Sequence, residues 1–180
     1  MYTGGVELRG KVIFANIRIG FHKVPVCNPN DKTVLCVRKG GILAFKGSAH
    51  IGYGSKIHVA NGGYLELGNY FAISASSQLN CYKRISFGKD IQFSWDCLVM
   101  DSDTHDIIGE SGQVINEARK IVFGDKVWIG CRTTILKGSY VPSNCVIGAN
   151  SLVSGKQFEP HTAILGNPAK SVKKIKDWRL

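Results

Sequence analysis

A period of six constrains this chain more than any other feature. Cut from Phe123, it reads FGDKVW, IGCRTT, ILKGSY, VPSNCV, IGANSL, VSGKQF. Every unit opens on a bulky apolar residue: Phe123, Ile129, Ile135, Val141, Ile147 and Val153. The fifth place is small or β-branched in five of the six units: Val127, Thr133, Ser139, Cys145 and Ser151. A period of six matches neither the 3.6 of a helix nor the 2 of a lone strand. It is the mark of a parallel β-helix, in which three six-residue units make one triangular coil. The first and fifth residues of a unit point inward, and equivalent residues stack from coil to coil. One coil cannot bury its own apolar side, so stability comes from stacking.

The rhythm continues upstream through Phe45, Ile51 and Ile57, then Leu67, Ile73 and Leu79, then Phe87, Phe93 and Val99. The phase slips between 57 and 67 and between 79 and 87, as turn insertions would make it do. The expected organisation is one domain: an irregular N-terminal cap or first coil over 1–39, an all-β column over 40–165, and a short amphipathic helix over 166–180. The tail "AKSVKKIKDWRL" suggests that helix.

One stretch breaks the rhythm. "VMDSDTHDIIGESGQVINEARK", residues 99–120, gathers Asp101, Asp103, His105 and Asp106, and the hexad returns in phase at Phe123. The expected loop covers 105–122, and loops carried on a rigid scaffold concentrate function. His105 stands where an apolar residue would continue the stack. Asp103 lies two residues before it, on the same side of an extended segment. A carboxylate there can reach the imidazole, fix its tautomer and leave the other nitrogen as a base, or it can order the loop. His22, His50, His58 and His161 have no such acidic setting. D-S-D lacks the later Gly and Glu of a calcium loop, so no metal is expected.

Lys and Arg number 23 against 13 Asp and Glu, a net charge of +10 with much of the excess in the tail. No aromatic platform or groove motif accompanies it, so nucleic acid is not the expected partner. A basic amphipathic C-terminus would allow peripheral contact with an anionic membrane surface. Six scattered cysteines with no C-x-x-C pair suit a reduced, cytoplasmic protein, with the inner face of a membrane as the alternative location. No secretory h-region and no apolar run of ~20 residues is visible.

"DSDTHDI", then "VWIG" beginning 22 residues after its histidine, then IGANS and "GNPAK", resemble the hexapeptide-repeat acetyltransferases over about residues 65–176. The acidic D-x-D-x-H is most similar to enzymes of bacterial surface-polysaccharide pathways. The start "MYTGGVELRG" lacks the helical segments of the serine, galactoside and maltose enzymes, which makes those acceptors less expected. The resemblance implies a left-handed parallel β-helix, a homotrimer with active sites between protomers, acetyl-CoA as co-substrate and a sugar acceptor. It implies His105 as general base, supported by Asp103. It places Trp128, Cys131, Ala149, Ser154, Lys170 and Lys173 along the coenzyme, the two lysines on its phosphates. Asp101, Arg119, Asn80 and Trp95 are acceptor-side candidates, with Ser76 and Arg84 as further ones. The expected reaction is sugar O-acetylation. The alternatives are N-acylation of a nucleotide-linked amino sugar and, in another class, a β-helix scaffold without catalysis.

Overall fold

The residue opening each hexad does stand inside a three-walled column. The computed structural model describes the chain apart from residues 1–3, 12, 22, 23, 26, 27, 29 and 180, so His22 and Cys27 lie outside the described residues. Six coils follow one another. The first is β1 (Gly5–Leu8), β2 (Ile17–Ile19) and β3 (Val34–Val37); the second is β4 (Ile42–Phe45), β5 (Ala49–Ile51) and β6 (Lys56–Val59). The third is β7 (Tyr64–Leu67), β8 (Phe71–Ala75) and β9 (Gln78–Cys81); the fourth is β10 (Arg84–Ser86), β11 (Ile91–Trp95) and β12 (Leu98–Met100). The fifth is β13 (Ile121–Phe123), β14 (Val127–Ile129) and β15 (Thr134–Leu136); the sixth is β16 (Tyr140–Val141), β17 (Val146–Ile147) and β18 (Leu152–Ser154). Equivalent strands pair in parallel, so the first, second and third strands of the coils build the first, second and third walls. β19 (Thr162–Gly166) extends the second wall, and β20 (Ala169–Lys174) folds back antiparallel against it.

The core is the stack that the hexads predict. Ile129, Ile135, Val141, Ile147 and Val153 are fully buried, as are Leu67 and Leu79 upstream. Burial of each such side chain stabilises by roughly 1.5–3 kcal/mol. The small fifth-place residues turn inward at the corners, and their hydroxyls are satisfied locally. Thr133 Oγ1 donates to Gly148 O at 3.1 Å, Ser151 Oγ to the same carbonyl at 2.7 Å, and Ser139 Oγ to Leu136 O at 2.6 Å. The corners have their own period of six. Lys126, Arg132, Gly138, Asn144 and Asn150 take φ of 56°, 57°, 78°, 59° and 56°. One left-handed residue per corner bends the chain sharply, at about 1–2 kcal/mol where the residue is not glycine.

One open expectation is decided and two are corrected. Within 1–39 the described residues form a first coil rather than an irregular cap: β1, β2 and β3 pair in register with β4, β5 and β6. Their apolar pattern is weak because this coil has a neighbour on one side only, which leaves Val6 and Leu8 exposed. The tail is not a helix but the strand β20. The turn at Asn167-Pro168 returns it onto β19, where its backbone completes an otherwise open edge. The excursion between β12 and β13 covers 101–120, not 105–122, because Ile121 and Val122 already pair in the first wall.

Both phase slips and the long excursion fall at the same edge of the prism. β6 to β7, β9 to β10 and β12 to β13 all cross from the third wall to the first. Insertions there leave the walls in register, so this is the edge on which the scaffold carries a loop without disturbing its core.

Candidate active site

The excursion closes at its neck. Arg119 N–H donates to Asp101 O at 3.0 Å, and Lys83 Nζ donates to Ala118 O at 3.2 Å. Farther out, Ile108 and Val114 form an antiparallel bridge, and Ile115 N–H donates to Ile107 O at 2.9 Å. The loop is therefore a short, hydrogen-bonded finger. Its tip exposes Ile107, Ile108 and Ile115 by 53%, 59% and 59%.

Asn116 organises the inside of the finger. Its Oδ1 accepts Ile107 N–H at 2.6 Å, while its Nδ2 donates to Asp103 Oδ2 at 2.9 Å and to His105 O at 2.8 Å. Lys137, from the same edge one coil on, donates to both Asp103 Oδ2 and Asn116 O. Asp103 thus pairs with Lys137 rather than with the imidazole, so of the two expected roles it takes that of ordering the loop. The short carboxylate reaches across to the cation held by the next coil. Lys137, then Asn116, holds the Asp103 carboxyl below its ordinary range. It remains ionised at neutral pH and ties the segment carrying His105 to the column.

His105 is exposed and follows Thr104, whose φ of 64° throws the next side chain outward. Its Nδ1 lies 3.0 Å from Thr104 Oγ1. Asp101 has a different task from the expected acceptor contact. It is fully buried; Oδ1 accepts Tyr82 N–H at 2.7 Å, and Oδ2 accepts Lys83 and Arg84 N–H at 2.8 and 2.7 Å. Those donors belong to the preceding turn at the same edge, so Asp101 closes that turn from inside.

The remaining predicted residues lie on other surfaces. Trp128 points outward from the second wall, 41% exposed, with Nε1 donating to Ser94 Oγ at 3.3 Å. Its ring is 6.4 Å from that of Trp178, whose Nε1 donates to Lys126 O at 3.0 Å as the tail crosses this wall. Half-buried Cys131 and exposed Ala149 sit on consecutive coils between the second and third walls. Trp95 ends β11 at that same edge and is half-buried, its carbonyl accepting Arg132 N–H at 3.0 Å. Asn80 faces outward on the third wall beside Met100. Ser154 ends that wall, exposed, and Lys170 and Lys173 are exposed on β20. Arg119 stands at the finger's neck.

The chain therefore carries two separate groups. His105, Asp103, Arg119 and Ser154 occupy the edge between the third and first walls. Trp128, Cys131 and Ala149 occupy the second wall and the edge beyond it. The buried thiols lie in neither group's open surface. Burial pushes the Cys81 thiol up to about 12 and that of Cys97 up to about 11, so neither supplies a thiolate nucleophile at neutral pH. Asn116 and Lys137 escaped the sequence reading. Asn116 stands eleven residues past the histidine, and Lys137 reaches the finger only through coil register.

No family model matches the chain. It is 43% identical over 58 residues to the provisionally named lipopolysaccharide biosynthesis O-acetyl transferase WbbJ of Escherichia coli K12, over 32% of this chain and 29% of that protein. It is 40% identical over 65 residues to a chloramphenicol acetyltransferase of Escherichia coli, over 36% of this chain and 30% of that one. These matches span less than a third of each relative's own length. Among solved structures, the polySia-specific acetyltransferase NeuO superposes with a TM-score of 0.71 and 26% identity, over 100% of this chain and 87% of that one.

Proposed function

For a chain that belongs to the hexapeptide-repeat acetyltransferase superfamily, built as its left-handed parallel β-helix, we propose transfer of an acetyl group from acetyl-CoA to a sugar hydroxyl of a surface polysaccharide or its precursor. The observation that carries this reading is the separation of the two groups. A braced finger presents an imidazole on one edge, and the residues matching the family's coenzyme groove line another. A homotrimer brings the finger of one protomer against the second wall of its neighbour and completes three equivalent sites.

In that arrangement Trp128, Cys131 and Ala149 flank the pantetheine arm, Ser154 lies on the facing protomer, and Lys170 and Lys173 meet the coenzyme phosphates. The Thr104 hydroxyl accepts from the Nδ1–H tautomer of His105, which leaves Nε2 with its lone pair. Nε2 takes the proton of the sugar hydroxyl as its oxygen attacks the thioester carbonyl. The new C–O bond forms as the carbonyl electrons move onto oxygen, and backbone N–H groups stabilise that oxyanion. Collapse breaks the C–S bond, and the imidazolium returns its proton to the coenzyme thiolate. General-base assistance of this kind is worth ~10²–10⁴-fold. Asp103 positions the base by anchoring its loop and does not touch it.

The test is release of free thiol from acetyl-CoA by the purified protein against a panel of sugars, amino sugars and chloramphenicol. The reading expects turnover with a hydroxyl acceptor and loss of ~10²-fold or more in His105→Ala. Turnover with an amine alone would reassign the acceptor, and full activity in His105→Ala would remove the base. No thiol release with any acceptor would leave a β-helix scaffold.

A further inference from the structure

A cleft of about 940 Å³ opens at the foot of the finger, on the first wall. Four cations line it: Lys83 and Arg84 from the turn below, and Arg119 and Lys120 from the finger's neck. Coil register sets their spacing. Ile85 pairs with Ile121, so Arg84 and Lys120, one residue earlier in each strand, are outward neighbours about 4.8 Å apart along the wall. Arg84 pairs directly with Tyr64 in the coil below, and its guanidinium carbon sits 4.6 Å from the Tyr64 ring centre. Arg119 lies across two corners of the next coils. A Cβ at Gly138 would come within 3.0 Å of its Cζ, and one at Gly155 within 3.4 Å of its Nη2. Small residues at both corners leave that floor to the guanidinium.

Among the described residues, no carboxylate lines the cleft and none of the four cations takes part in an ion pair. Acids near the cleft are already held: Glu66 by Lys46 and Tyr64, Asp103 by Lys137 and Asn116, and Asp101, buried beneath the turn, by the backbone N–H groups of Tyr82, Lys83 and Arg84. Four like charges at coil spacing repel one another, and an anion entering the cleft relieves that repulsion. Tyr140 at its side, 41% exposed, supplies a ring face of the kind that packs against sugars, while the Tyr64 ring carries the Arg84 guanidinium. Planar guanidinium groups suit carboxylate and phosphate oxygens alike.

We propose that this cleft binds an anionic segment of the acceptor, a glycan bearing carboxylate or phosphate groups, and docks it beside the finger that carries His105. The inference deepens the acetyl-transfer reading by naming the acceptor's charge class. The acceptor is recognised by its charges on the first wall, apart from the coenzyme residues on the second.

Calorimetric binding to the full chain tests it without catalysis. The probes are an oligogalacturonate, its neutral methyl ester, UDP-glucose and CoA. The expected result is that oligogalacturonate or UDP-glucose binds and weakens about tenfold as salt rises from 50 to 300 mM, whereas the methyl ester does not bind. Whichever binds assigns carboxylate or phosphate as the recognised group. Arg84→Gln/Lys120→Gln should weaken that probe at least tenfold and leave CoA unchanged. These side chains point outward, and the salt dependence of the wild-type protein carries the test should the variant fail to fold. Equal binding of acid and methyl ester, binding of neither anionic probe, or loss of CoA affinity in the variant would overturn the proposal. The last outcome would make the cleft a coenzyme phosphate site. If the probes behave as expected but no acceptor is acetylated, the reaction fails and the anion cleft stands.

Discussion

Replacing Asp101 separates a structural reading from a substrate-binding one. The side chain is fully buried and accepts three backbone N–H groups, from Tyr82, Lys83 and Arg84. In Asp101→Ala all three lose their acceptor. A buried donor left without its acceptor costs about 1–3 kcal/mol. Tyr82 is half-buried and Lys83 and Arg84 are exposed residues, so water recovers part of the loss. About 1 kcal/mol per bond is reasonable, or about 3 kcal/mol in total. For a chain of this length that lowers Tm by about 6–12 °C. Asp101→Asn keeps one oxygen but turns an amide donor toward a donor, and should cost about 1–2 kcal/mol. The assay is urea unfolding followed by far-UV circular dichroism at one fixed protein concentration, because assembly would add to apparent stability. If Asp101→Ala kept wild-type stability within about 0.5 kcal/mol and instead raised the acceptor KM, the carboxylate would be a ligand and the closed-turn account would be wrong.

Asn116→Ala and Lys137→Ala should each lower turnover about tenfold by freeing the segment that carries the imidazole, with the acetyl-CoA KM unchanged; steady-state kinetics on both substrates checks this. The Asp103–Lys137 tie depends on a carboxyl held below its ordinary value, so its contribution is complete above the unfolded carboxylate value of about 3.9 and fades as pH falls through the lower folded one. Amide exchange over residues 103–118, corrected for intrinsic rates, should accordingly be constant from about pH 5 to 8 and rise below about pH 4. Among the five described cysteines, Cys36 and Cys131 should react with a disulfide-exchange dye at pH 8 well before Cys81, Cys97 and Cys145, which are buried. Ile135→Ala removes a fully buried column residue and should destabilise by about 2–5 kcal/mol in the same urea assay.

The column was legible because its interior is repetitive. Each coil presents the same inward positions to the same neighbours, so Phe123 to Val153 declare themselves in one dimension. The first coil was harder to read because Val6 and Leu8 have a stacking neighbour on one side only, where stacking no longer disciplines the pattern. The tail misled because Lys170, Lys173 and Lys174, at i, i+3 and i+4, suit one face of a helix, whereas β19 offers backbone partners that only tertiary structure reveals. In the site, His105 stood out as an interruption. Its supports did not, because Lys137 meets Asp103 through coil stacking and Asp101 turns inward to a preceding turn. Local spacing suggested an Asp103–His105 pair; the left-handed Thr104 between them sends the two side chains apart.

Subunit mixing tests most directly whether one active site is built from the finger of one protomer and the second wall of another. His105→Ala removes the base, and Ala149→Trp fills the exposed groove on the opposite edge; each variant alone should be nearly inactive. Co-refolded in equal amounts, they should recover about one quarter of wild-type activity, since each shared site draws an intact finger and an intact groove independently with even odds. A mixture that stays at the level of its two parents, with hetero-oligomers confirmed by mass, would place both halves of the site within one chain and contradict the account.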